Sequence, residues 1–213
     1  MKRKVAFIGF GSLGSQLFNF LNEELDISDS LMFFDDIKLK EGDERSFPFN
    51  EFLNDEFKEY EFCIALGYKH LNLKREIISK LTRANRKLLT FIHPTSFIHS
   101  TAKLEDGVVI YPKCNVDQNV IIRSGVLLNN SVTISHDSVI NEATFVAPGV
   151  VINGDTKIGS GTFIGSGSLI ANSIKIGENV IVGIGTTVTK NIPDNNSVIG
   201  NPMKFLKKKI NLL

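Results

Sequence analysis

The sequence predicts two modules in series. Residues 1–94 read as an α/β domain of Rossmann-like βαβ units, and residues 95–213 as a β-helix of hexapeptide repeats with a C-terminal tail. Three observations predict this. Sixteen aliphatic residues recur six apart, without a slip, from Ile98 to Val188. Four residues after each stands a small or β-branched residue or Cys, from Ala102 to Ile192. Near the start, an apolar run leads into Gly9-Phe10-Gly11-Ser12-Leu13-Gly14, the G-x-G-x-x-G pattern.

The N-terminal elements follow in order. Residues 4–10 read as a buried strand, and Leu13, Leu17, Phe20, Leu21 and Leu25 form one stripe of a helix after it. Residues 31–36 read as a second apolar strand that ends in two acids, Asp35 and Asp36. Asp35 lies about twenty residues beyond the glycines, where an acid that binds a ribose is expected. The stretch 38–60 is polar with scattered Phe, and predicts a short strand near Phe47 and a helix near 51–59. Residues 62–67 are a third buried strand that ends at Gly67. Residues 71–85 form an amphipathic helix on Leu73, Ile77 and Leu81, and residues 88–92 a further strand closed by His93-Pro94. Alternating strands and helices of this kind build a parallel sheet. About ninety residues leave room for roughly one mononucleotide-binding half, so the glycine loop is read as holding one nucleotide and not NAD.

From Ile98 the hexads take over. A period of six fits neither a helix of 3.6 residues per turn nor a plain alternating strand. It fits a coil in which each hexad supplies one short strand and one corner. Sixteen hexads at three per 18-residue turn make about five turns. Gly107, Gly125, Gly149, Gly161, Gly167 and Gly185 all fall three after an anchor, where a corner needs positive φ. Pro112 and Pro148 fall two after one, where the ladder does not need their missing N–H. Past Pro193 the period ends. Residues 197–199 suggest one last strand, and a basic tail follows with Lys204, Lys207, Lys208 and Lys209, which could help to hold a phosphorylated ligand.

Composition narrows the function classes. The formal net charge is +1, with 22% charged residues, so no long-range field recruits nucleic acid. The apolar run at the start is short and broken by glycine, which predicts neither a signal peptide nor membrane insertion; a cytoplasmic protein is expected. Cys63 and Cys114 sit in apolar runs and are expected as buried thiols, not a disulfide.

His136 is the one histidine in the regular part of the coil. It falls two after anchor Ile134, at the outward corner phase shared with Pro112 and Pro148. Asp137 follows and could orient the ring or stabilise an imidazolium. Eighteen residues on, Gly154 and Asp155 hold the same phase one turn away, so a backbone N–H without a side chain lies near the imidazole. A general base beside a backbone donor suits acyl transfer. Zinc would need ligands the coil does not supply, and no metal is expected. No nucleophilic Cys lies near His136, so direct attack without an acyl-enzyme is expected.

The glycine loop, the Phe-Asp-Asp strand end, the Ile-His-Pro crossover, hexads that contain Ser-His-Asp and the closing Gly-Asn-Pro together resemble the nucleotide-sugar N-acetyltransferases of the hexapeptide family. These include enzymes that acetylate UDP-4-amino-4,6-dideoxy sugars, and the sialic acid O-acetyltransferase-like proteins share their plan. The resemblance implies a left-handed parallel β-helix, a homotrimer with active sites between subunits, and acetyl-CoA as acyl donor along the coil. It implies His136 as general base, Asp137 as its partner and Gly154 as the donor near the thioester oxygen. The nucleotide-linked amino sugar would be held by Gly9, Gly11, Ser12, Asp35, Asp36 and Gly67, with Asn129 in the sugar pocket. The donor would meet Phe145, Gly154 and Lys204. Two positions depart from the pattern: Phe145 stands where relatives often carry a second His, and Leu13 where many place a small or polar residue. An O-acetyltransferase acting on a sugar hydroxyl, and an idle nucleotide-binding scaffold, are the alternative readings.

Overall fold

Short, almost wholly apolar runs build the first sheet. The computed structural model describes residues 3–25, 27 and 31–207, and divides into two units, Met1–Phe91 and Ile92–Leu213. In the first, β1 (Val5–Ile8), β2 (Leu31–Phe34), β3 (Ser46–Phe47), β4 (Glu61–Ile64) and β5 (Lys87–Leu88) run parallel in the order β3-β2-β1-β4-β5. Buried on both faces, such strands need no alternation of polar residues, and all four residues of β1 are buried. The helices are α1 (Ser12–Leu25), α2 (Asp36–Lys40) and α3 (Leu71–Arg83). The chain leaves β1 toward β2 on one side and later places β4 on the other. The carboxyl ends of β1 and β4 therefore flank a topological switch point, the place where open α/β sheets bind ligands.

Phenylalanines fill this small core. Phe10 stacks on Phe33 with ring centroids 4.2 Å apart, and Phe34 meets Phe57 edge-on at 4.9 Å. The aromatic packing explains one correction. The helix expected near 51–59 is replaced by two 3-10 turns, Phe49–Glu51 and Asp55–Phe57. Extended residues Pro48 and Asn54 precede them and interrupt helical φ/ψ, while Phe47 and Phe57 are drawn together at 5.0 Å. The short helix α2 was not expected. Asp35 creates it as an N-cap, accepting from the N–H groups of Ile37 and Lys38.

A second correction lies at the junction. The single strand expected over residues 88–92 is two. β5 ends at Leu88, while Phe91–Ile92 pairs with Val109–Ile110 as the first rung of the coil. Ile92 stands six before Ile98, so the hexad phase begins one anchor earlier than Ile98.

The second unit is the left-handed parallel β-helix. Each hexad gives a two-residue strand whose second residue is the anchor. Strands eighteen residues apart stack in register, as in Asn115↔Thr133 and Val116↔Ile134. Three sheets of six, five and eight strands result. With the added rung and the late strand Ser197–Ile199, the coil exceeds the five turns expected. Anchors and the residues four beyond them both point inward and form one apolar column, from Val108 through Ile134, Ile152 and Val182 to Val198.

From the corner after Leu104 to the corner after Val182, the residue three after an anchor takes positive φ whether it is Gly, as at Gly125 and Gly149, or not, as at Lys113, Asn119, Asp137 and Asp155; Thr101 and Asn191, at the two ends, do not. Where the inward corner residue is Ser or Thr, its hydroxyl is satisfied by neighbouring corners. Thr162 Oγ1 donates to Gly177 O at 2.8 Å and accepts from Val180 N at 3.1 Å. Ser168 Oγ donates to Gly183 O and accepts from Thr186 N. The last coil is two residues short, so Val182 pairs with Val198, and Lys204–Phe205 closes that sheet as an antiparallel strand. Both cysteines are free and buried, as expected.

The hydroxyl ladder has a measurable consequence. Thr162→Val keeps the side-chain shape but leaves Gly177 O and Val180 N without their partner in a dry core. Denaturant unfolding is expected to show a loss of about 1–3 kcal/mol. An unchanged midpoint would mean that the ladder contributes nothing.

Candidate active site

Two places gather the residues with chemical potential, one in each unit. The first is a corner of the coil. Asp137 occupies the left-handed position with φ of 59°, a conformation that Asp tolerates better than most residues. That turn sets its carboxylate beside the preceding ring: Asp137 Oδ2 lies 2.9 Å from His136 Nδ1. The other carboxylate oxygen accepts from Asn119 Nδ2 at 3.0 Å, one coil below. Asn119 is a member of the site that the sequence reading missed; its position eighteen before Asp137 was the available signal.

The next coil supplies the floor. Asp155 N donates to His136 O at 3.0 Å, which stacks Gly154 under the ring. A Cβ built on Gly154 would stand 2.6 Å from both Cε1 and Nε2 of His136. Glycine here is therefore a steric requirement of the imidazole and not of the backbone. The Gly154 N–H has no hydrogen-bond partner among the described residues. The structure thus brings together His136, Asp137 and Gly154 as the hexad phase predicts.

Electrostatics bias the ring toward protonation. The hydrogen bond with Asp137 raises the His136 pKa above its ordinary value, and the charges of Asp137, Asp155 and Asp117 add to that, while desolvation opposes them. Asp137 is held below the usual carboxylate range by its bonds to His136 and Asn119. With 48% of its side chain exposed, His136 can reach a bound molecule. The imidazole can take a proton at Nε2 while Asp137 holds Nδ1, which is the arrangement of a general base with an orienting carboxylate.

Other sequence-predicted residues fall elsewhere. Asn129 follows a strand of the eight-stranded sheet, whereas His136 follows one of the six-stranded sheet, so the two occupy different edges of one coil. Asn129 Oδ1 accepts from Asn130 N. Phe145 faces outward on its strand, 5.9 Å from the Phe163 ring, and is only 6% exposed. Lys204 lies exposed on the closing antiparallel strand. Lys208 and Lys209 lie outside the described residues.

The second place is the loop after β1. Gly9 has φ of 83°, and a Cβ on Gly14 would meet Gly9 O at 2.8 Å, so these two glycines make the strand-to-helix turn. Gly11 and Gly67 have open space where a side chain would be. Ser12 opens α1, which carries no acid in its first turn, so its positive end is available to an anion. Asp35 bonds the Phe10 N–H at 2.7 Å and caps α2 with its second oxygen. Its carboxylate braces the loop, a local structural job beside the expected ribose contact. Asp36 accepts from Phe49 N. Among the described residues no group of His, Cys, Asp and Glu is placed to hold a metal ion. No helix there is long and apolar enough to cross a membrane.

Comparison with known proteins agrees with this plan. The family model described as the GMPPB C-terminal domain matches residues 89–182. No curated protein matches by sequence. The acetyltransferase domain of PglB from Neisseria gonorrhoeae FA1090 is 26% identical with a TM-score of 0.84, over 96% of this chain and 100% of that one. The same domain is known in complex with acetyl coenzyme A. A mutant of perosamine N-acetyltransferase from Caulobacter crescentus, in complex with CoA and GDP-perosamine, is 20% identical with a TM-score of 0.85, over 96% and 97% of the two chains. WeeI from Acinetobacter baumannii AYE is 22% identical with a TM-score of 0.83, over 96% and 100%. The chain therefore resembles hexapeptide-repeat nucleotide-sugar N-acetyltransferases along its whole length, and the two-module fold is theirs.

The corner geometry predicts how His136 titrates. Because Asp137 stabilises the imidazolium, NMR is expected to place its pKa above the ordinary value of about 6.5. Asp137→Asn removes the charge and should lower it. Gly154→Ala, which pushes the ring off its floor and away from Asp137, should lower it too with little change in thermal stability. A titration curve identical in all three proteins would show that neither neighbour acts on the ring.

Proposed function

We propose that this protein is an acetyl-CoA-dependent N-acetyltransferase whose acceptor is the 4-amino group of a nucleotide-linked 4-amino-4,6-dideoxy sugar, with a UDP-linked sugar favoured. The observation that carries this reading is the His136 ring, fixed by Asp137 on one side and by a side-chain-free Gly154 on the other. The likeness to an acetyltransferase domain that binds acetyl coenzyme A supports the donor. The likeness to a perosamine N-acetyltransferase supports an amino sugar on a nucleotide as acceptor.

In the proposed reaction His136 Nε2 accepts the proton that the acceptor nitrogen loses as that nitrogen attacks the thioester carbonyl. Asp137 stabilises the imidazolium so formed. The Gly154 N–H donates to the oxyanion of the tetrahedral intermediate, which collapses with expulsion of the CoA thiolate; His136 returns the proton to that sulfur. The glycine loop and the switch point hold the nucleotide. Gly9, Gly11, Ser12, Asp36 and Gly67 are its proposed contacts, with Asp35 acting chiefly through the loop it braces. Lys204 is the proposed contact for the phosphates of the donor. Phe145 offers the donor little surface. Asn129 joins His136 only across a subunit boundary, which is what a trimer with shared sites provides. A cytoplasmic setting, where acetyl-CoA is made, suits this reading.

Release of free thiol from acetyl-CoA in the presence of UDP-, GDP- and dTDP-linked 4-amino sugars tests the activity, with the acetylated product identified by mass. Silence with every amino acceptor, but turnover with a sugar hydroxyl, would overturn the N-acetyl assignment. His136→Ala is expected to lower kcat by about 10²–10⁴ with little change in KM. The base must be neutral to act and its pKa is raised, so kcat/KM should climb with pH through an inflection above the ordinary histidine value. Asp137→Asn should move that inflection to lower pH and reduce the plateau.

A further inference from the structure

α3 follows β4 after Gly67 and the 3-10 turn Tyr68–His70, and its first turn holds an unusual side chain. Lys74 is 2% exposed, the only Lys or Arg among the buried polar and charged residues described. Its ammonium has no carboxylate and no hydrogen-bond acceptor among the described residues. A buried cation without a partner costs free energy, and an apolar residue of the same length would be favoured if packing were its only task.

Direction settles where the ammonium goes. Side chains on a helix lean toward its N-terminus, and the N-terminus of α3 lies at the carboxyl end of β4. The group acting on Lys74 is Cys63, one residue before the end of β4. The flexible stem of Lys74 therefore lies against the sheet, and its charge lies near the strand end. From Gly67 to Arg75 the chain carries Lys69, His70, Lys74 and Arg75 with no acid, and α3 has no acid in its first turn. Glu76 is exposed on α3, Lys87 is exposed on β5, and Glu61, at the far end of β4, is paired with Arg3. Cys63 is a neutral thiol at physiological pH, since burial pushes it up to about 12. Nothing negative in the described protein balances Lys74.

We infer that Lys74 is a binding residue for the diphosphate of the nucleotide ligand, held unpaired in the free protein and paired when the ligand arrives. This rests on the nucleotide-binding reading of the N-terminal unit. The diphosphate is common to UDP, GDP and dTDP sugars, so Lys74 contributes affinity without choosing the base. Burial lowers the ammonium to about 8 in the free protein. A bound dianion stabilises the charged form, so binding near that pH takes up a proton from solvent at Nζ.

Calorimetric titration of the full chain with UDP, GDP and dTDP at pH 8, in buffers of different ionisation enthalpy, tests this. For wild type, proton uptake is expected with whichever nucleotides bind. Lys74→Met should keep or raise the melting temperature. It should weaken every nucleotide by roughly the same factor, about 10–100-fold, and abolish the proton uptake. Lys74→Arg should retain part of the affinity and show no uptake, because guanidinium stays charged. Acetyl-CoA binding should be unaffected. Unchanged nucleotide affinity in a folded Lys74→Met protein would overturn the role of Lys74 alone. Failure of the wild type to bind any of the three would overturn the nucleotide reading with it.

Discussion

The stacking of each residue on the one eighteen further along holds the coil together and also builds its reactive corner. The ladder N–H groups, such as Ser135 N to Ile152 O at 2.8 Å, fix the rise between coils. Because the rise is fixed, a side chain at one corner lies over the backbone of the next. His136 is oriented by this: its own backbone carbonyl is tied to Asp155 N, its ring rests on Gly154, and its partner Asp137 is steadied from below by Asn119. Three successive coils thus define one imidazole. A loop of the same residues would leave the ring free to rotate.

Most of the coil was legible because its constraints are local and repeated. An aliphatic at every sixth position and, between the end hexads, a left-handed corner three residues later are demands of the single hexad, so they are written in it again and again. The same logic located His136 over Gly154 from spacing alone. Asn119 escaped because its role is visible only when Asp137 is seen to have a second oxygen to satisfy. The N-terminal unit was less legible. Its aromatic core draws Phe47, Phe57 and Phe34 together across long separations, and that packing replaced an expected helix with two short turns. Asp35 was singled out for a ribose, yet its hydrogen bonds show a residue that first makes a helix start and pins a loop. The break between β5 and the first rung was hidden by an uninterrupted apolar run that serves two sheets.

The two units use glycine for different physical reasons. At Gly9 and at corners such as Gly125 the backbone is left-handed and a Cβ would be strained. At Gly14 and Gly154 the conformation is ordinary and what matters is the space, taken by a carbonyl in one case and an imidazole in the other. At Gly154 the group that takes the space is itself a reactive one. Distinguishing the two is what turns a glycine-rich sequence into a statement about a site.

A coil of parallel strands has an intrinsic hazard, because each end presents unpaired backbone that another copy could extend. The final turn answers this at one end. Being two residues short, it slips out of the eighteen-residue repeat, and the antiparallel strand Lys204–Phe205 lies along its edge with the polarity opposite to every other strand in that sheet. A second coil arriving in register would find neither the phase nor the direction it needs. The irregular ending therefore closes the edge of the eight-stranded sheet, one of the three, against in-register extension.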